Sequence, residues 1–225
     1  QVAQNASVVT ASSGSIDVES AAITMADGAL TVAVNGNVRY DAGAGDLTLG
    51  ELRTGADVSL IAGNVVDAED GADANVDITA DELKVDVAGA FGESDDHIRT
   101  TVRQMSGDAG TGGWYQIETD GLVIGETSEI TVERVPSTGV GAVIADTTDA
   151  VQTDLGAGDA LVVVVEAGSL ETLATGAITA GSNVLLRTDA AMGDITLGAN
   201  LVSTTGAISL DAGQSLIQNA DVTAN

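Results

Sequence analysis

The chain has 225 residues, and its 34 Asp and Glu against 7 Lys and Arg give a formal charge of -27 with a sequence pI near 4.1. That balance excludes nucleic acid as a partner, because phosphate backbones need basic contacts. The absence of cysteine excludes disulfides and thiolate metal sites.

In chain order, one short phrase recurs: a Gly, Asp or Asn turn, then three to five residues alternating apolar and polar. It reads as a strand at Gly14 to Val18, Gly28 to Val34, Gly45 to Leu49 and Ala56 to Ile61. Further strands are predicted at Asn75 to Thr79, Glu82 to Val87, Trp114 to Glu118 and Ser128 to Val135, and then at Gly193 to Leu197 and Gly206 to Leu210. Disordered acidic chains lack such alternation, so this one folds. Ala, Val, Ile and Leu carry the apolar content, while aromatics make up only 2%. Small and β-branched side chains suit a narrow interior whose cross-section repeats.

Spacings of about 8 to 12 residues fit a sandwich, a barrel or a solenoid. The shortness of the strands, their mutual likeness and the scarcity of hairpin dipeptides favour the solenoid. Coils of about 20 to 25 residues, each with two or three strands, give about nine to eleven coils in an all-β rod. The whole chain, 1–225, is expected to be one solenoid segment, with more irregular coils or loops over 89–137. That stretch holds the only His, Trp, Phe and Pro, and it includes a long turn expected at Ser106 to Gly113. Gln218 to Ala224 echoes Gln4 to Ala11, which reads either as a shared coil phrase or as the start of the next unit in a tandem array. No signal-peptide pattern opens the chain and no apolar run is long enough to span a bilayer, so an export signal is expected outside these residues and no transmembrane segment within them.

The wording of Gly193 to Asn225, GDITLGANLVSTTGAISLDAGQSLIQNADVTAN, resembles the repeat regions of filamentous-haemagglutinin-like proteins and giant repetitive bacterial surface adhesins. Ala88 to Gly125 is similar to the family phrase in which an irregular glycine turn precedes successive strands, with Trp114 and Tyr115 at its aromatic end. The resemblance implies a right-handed parallel β-helix outside a Gram-negative-type cell, serving attachment, biofilm or filament formation. It brings no catalytic residues.

Several residue groups have the chemistry for a site. Glu93, Ser94, Asp95, Asp96 and His97 set hard oxygen ligands beside an imidazole, yet they read more simply as a solvated acidic turn. Asp46 and Asp159, each directly after a glycine, resemble calcium-roll phrases without the required spacer; the plainer reading makes Gly43, Gly45, Gly156 and Gly158 corners and the two Asp local turn acceptors. Trp114 and Tyr115 either fill a wide coil or stack on a sugar ring. Ala160 to Gly168 reads as a strand with little contrast between its faces, a pairing hazard if it lies at an edge.

No cofactor is required on this reading, and metal ligands stay unassigned beyond weak, diffuse calcium binding by stacked acidic turns. An extracellular structural fibre is the expected function, with adhesion to a glycan or surface protein as the alternative. A polysaccharide-acting enzyme is a third reading that the scattered basic residues Arg39, Arg53, Lys84, Arg99, Arg103, Arg134 and Arg187 disfavour. The expected partner of a fibre is a further copy or unit of itself, stacked head to tail.

Overall fold

A strand of three or four residues buries one apolar face too small to form a core alone, so such strands must stack. A computed structural model describes residues 1–69, 74–135, 138 and 144–225. Twenty-five of its strands form one continuous parallel sheet that winds through about nine coils of a β-solenoid. The all-β solenoid expected from the strand phrases is what the chain forms, at the low end of the expected coil number.

Three ladders run along the rod. In the first, Val2 pairs with Ile23, Ile23 with Leu47, Leu47 with Val65, Val65 with Phe91, and Phe91 with Trp114. It continues through Leu161 and Val184 to Ile208. Ile23, Leu47, Val65, Phe91, Trp114 and Leu161 therefore lie one above another, all with 0% exposure. Each large apolar side chain so buried contributes about 1.5–3 kcal/mol.

The second ladder runs from Val8–Thr10 through Leu30–Ala33 and Glu51–Thr54 to the first residues of Ile78–Val87 and Ile98–Ala109. The third runs from Ile16–Glu19 through Val38–Asp41 and Val58–Ala62 into the second halves of those long strands, then on to Leu155–Ala157, Ile178–Ala180, Leu201–Ser203 and Val222–Ala224. Ile98–Ala109 is where the cross-section changes. The second ladder merges into Gly113–Glu118, and a new one starts at Gln104 and Met105 with Leu122–Ile124.

Two expectations are corrected here. Ser106 to Ala109 is not a turn, because these residues continue Ile98–Ala109 in register with Lys84 to Val87. Ser128 to Val135 does contain a strand, Ile130–Arg134, but that strand stands outside the solenoid and pairs antiparallel with Ile144–Asp149. Pro136 and Ser137, at the end of the stretch expected to be irregular, lie outside the described residues.

Candidate functional site

The strand alternation that sends Ile16, Val38, Val58 and Leu83 inward puts Asp17, Arg39, Ser59 and Lys84 in one outward column of the third ladder. A polar column on a rod would normally face water. Here Arg39, Ser59 and Lys84 are 4%, 1% and 5% exposed, because the chain between Leu122–Ile124 and Leu155–Ala157 folds back over them. This excursion leaves and returns at one neck, where Thr127 and Gln152 form an antiparallel bridge.

Burying charge without partners is costly, so the anchors are densely paired. Arg39 donates to Asp17 at 3.1 Å, to Asp41 at 2.5 Å and to Asp149 of the hairpin at 3.2 Å. Burial opposes its charge, yet Asp149, Asp17 and Asp41 outweigh burial and raise its pKa above the ordinary arginine value. Ser59 donates its hydroxyl to the same Asp149 at 2.5 Å. The Lys84 ammonium donates to the carbonyls of Ser128 and Asp149, both at 3.0 Å, and to that of Ala150. Desolvation lowers the Lys84 pKa, against the pull of Asp149, Glu82, Asp57 and Glu129.

Further along the hairpin, Arg134 reaches Asp17 at 2.8 Å and also Glu19. Asn37 donates to the carbonyl of Thr131 at 2.9 Å, and the Ser15 hydroxyl accepts from the Glu133 amide at 2.8 Å. Ile130 and Val132 of the same strand are themselves fully buried. A cleft of about 360 Å³ opens beside it, lined in part by Ser59, Ile61, Lys84, Asp86 and Gln152, and another of about 590 Å³ lies by Asp17, Glu19, Asp41 and Arg134. Two of the charged groups at the first cleft, Lys84 and Asp149, are already engaged in fastening the hairpin.

The groups singled out in the sequence lie elsewhere. Glu93 and Asp96 close a tight turn by exchanging main-chain bonds of 2.8 and 3.1 Å, and His97 meets the edge of Tyr115 at 5.9 Å between ring centres. Burial lowers the His97 pKa, with Arg187 in the same sense and Asp96 and Asp95 opposing. Among the described residues, no three His, Asp or Glu are grouped to hold a metal ion.

Asp46 and Asp159 accept hydrogen bonds from the next coil, from Asn64 at 2.7 Å and Ser182 at 2.6 Å, in place of the local turn bonds expected. Gly43 does occupy a left-handed corner at φ +58°, whereas Gly156 lies inside the strand Leu155–Ala157. Trp114 packs on Phe91 with ring centres 4.4 Å apart and has no exposure, so it fills the rod. Leu161–Val165 is paired on both sides and forms no edge.

Sequence reasoning missed a polar chain inside the rod. Trp114 donates to Gln116 at 3.0 Å, Gln116 to Thr100 at 2.6 Å and Thr100 to Glu118 at 2.6 Å. Glu118 also accepts from the amides of Val102, Thr119 and Asp120. Desolvation pushes its pKa up to about 8 in spite of these donors. The signal was present: positions 114, 116 and 118 share one face of a strand, so a buried Trp114 implies a buried Glu118. A second network near the first coil is a closed ring, with Gln4 donating to Thr31, Thr31 to Tyr40 and Tyr40 to Gln4.

Fold and site together define a parallel β-solenoid carrying an antiparallel strap on one outer face. Compared with the models of known families, with curated proteins and with solved structures, the chain matches none. No helix among the described residues is long and apolar enough to cross a membrane.

Proposed function

We propose that this chain is a structural segment of an extracellular fibre, on the surface of a Gram-negative-type bacterium, built to the pattern of filamentous-haemagglutinin-like repeat proteins. The observation that carries the reading is the unbroken register of the first and third ladders, which run from Val2 to Ile208 and from Val18 to Val222. A rod whose every coil pairs with the next gains stiffness with length and transmits load through backbone hydrogen bonds. The likeness of Gln218 to Ala224 and Gln4 to Ala11 supports stacking of successive units. Electron microscopy of the purified chain tests the reading: filaments in the absence of ligand are expected, and isolated short rods at every concentration argue against it. Protease treatment of intact producing cells tests the location, since a surface fibre is shaved away and an internal protein is spared.

Adhesion is the second reading, favoured by one strip. Tyr115, Val162 and Leu185 are in register on the outer face, each half-buried, where an aromatic ring and aliphatic neighbours suit a sugar face or a protein side chain. Retention on a glycan array that is lost in Tyr115→Ser would favour it over the fibre. Shortening of a polysaccharide with calcium supplied would overturn both.

A further inference from the structure

The strap and the core occupy opposite sides of the same sheet. Beneath the third ladder, Val38, Val58 and Leu83 face the interior, while the strap lies on the outer side, held by ions and hydrogen bonds and by Ile130 and Val132, which are buried there apart from the core cluster. Its fastenings are spread along the rod. Arg134 grips Asp17, Asp149 grips Arg39 and Ser59, the Ser128 and Asp149 carbonyls hold Lys84, and Thr127 meets Ser106 at 2.6 Å. These positions fall on successive coils from Ile16–Glu19 to Ile98–Ala109. Both ends of the strap meet at the Thr127–Gln152 bridge, so it departs and returns at a single point.

We propose that the antiparallel pair Ile130–Arg134 and Ile144–Asp149, closed at the Thr127–Gln152 bridge, is a latch that locks the coils up to Ile98–Ala109 into one cooperative block. It lifts without opening the core, and the coils from Leu161 onward open first under denaturant or load. The physical basis is that a solenoid's stability is a sum of nearest-neighbour terms, so a tie spanning several coils makes their opening concerted where untied coils fray one at a time. The proposal does not depend on the fibre reading, because it concerns the order of opening and not the function of the rod.

Hydrogen exchange followed by mass spectrometry on the full chain tests it. Amides of Val38–Asp41 and Val58–Ala62 are expected to exchange at least about tenfold more slowly than those of Ile178–Ala180 and Leu201–Ser203. A chain in which a short Gly-Ser link replaces residues 127–152 is expected to keep its β spectrum and lose that difference. Equal protection of the two halves in the parent, or an undiminished difference after deletion, overturns the latch. A deletion chain that fails to fold also overturns it, since the hairpin would then be part of the fold. Lys84→Met provides an independent reading in the intact chain: faster exchange confined to the strapped coils supports the latch, and uniform or absent acceleration contradicts it.

Discussion

Thr100 donates its hydroxyl to Glu118 at 2.6 Å inside the rod, and neither side chain has any exposure. The contact ends a chain of donors that starts at the Trp114 indole, and it places an ionisable group where water cannot reach it.

The consequence is a stability that falls as pH rises. The Glu118 pKa is raised from 4.5 to about 8, so the folded state holds its proton more tightly than the unfolded state does. That contribution is complete below about pH 4.5, declines through the interval up to about pH 8 and is then gone, at about 1.4 kcal/mol per pH unit. Asp81, held below the usual carboxylate range by Arg103, acts in the opposite sense only at lower pH. Urea midpoints measured from pH 5 to 8 are expected to fall with pH more steeply in the parent than in Glu118→Gln; parallel slopes would show that Glu118 is not the titrating group.

Two glycines of one turn should differ in what they tolerate. Gly43 has φ +58° with nothing near the position of a Cβ, so Gly43→Ala is expected to cost about 1 kcal/mol of backbone strain. A Cβ on Gly45 would sit 1.9 Å from the carbonyl oxygen of Ala21 in the coil below, and Gly45→Ala is expected to cost about 3 kcal/mol because main chain must move. Chemical denaturation of the two variants decides, and a Gly43→Ala variant that loses more would reverse the argument.

Trp114 reports on the interior directly, as the only tryptophan in the chain. A Cβ on Gly107 would lie 2.8 Å from its ring, so the rod accommodates the indole by omitting a side chain opposite it. Trp114→Ala is expected to cost about 3–5 kcal/mol. In the parent, its fluorescence should be blue-shifted and resist quenching by iodide. Emission typical of water-exposed indole would contradict the packing.

The acidic outer columns predict dependence on cations. Asp86 and Asp108 are in register on neighbouring coils, and Asp108 has its pKa raised by burial, by Asp86 and by Asp154. Strands about 4.8 Å apart set such carboxylates well inside one Debye length. Lowering ionic strength and adding chelator should therefore lower the melting temperature; an unchanged value would mean that the repulsion is already relieved within the chain.

Much of the rod was legible because alternation reports directly which residues face a core. Phrases such as Gly45 to Leu49 and Gly193 to Leu197 needed only period and turn residues to be placed, and both end in the solenoid strands Leu47–Leu49 and Ile195–Leu197. Alternation does not report the partner strand or its direction, so Ile130–Arg134 was legible as a strand but not as half of a strap. Ser106 to Ala109 holds turn-favouring residues, and pairing to Lys84 to Val87 overrode their local preference. The fastened face was the least legible part. Arg39, Lys84 and Arg134 look like scattered single charges until a hairpin more than a hundred residues from Asp17 brings Arg134 and Asp149 to that column.

The central claim is that this chain is a stacking rod, and cryo-electron microscopy of the purified protein tests it most directly. Unbranched filaments are expected, with coils about 4.8 Å apart along the axis and the strap visible as a ridge recurring once per unit along one face. Particles that remain single, with no end-to-end contacts as concentration is raised, would contradict it.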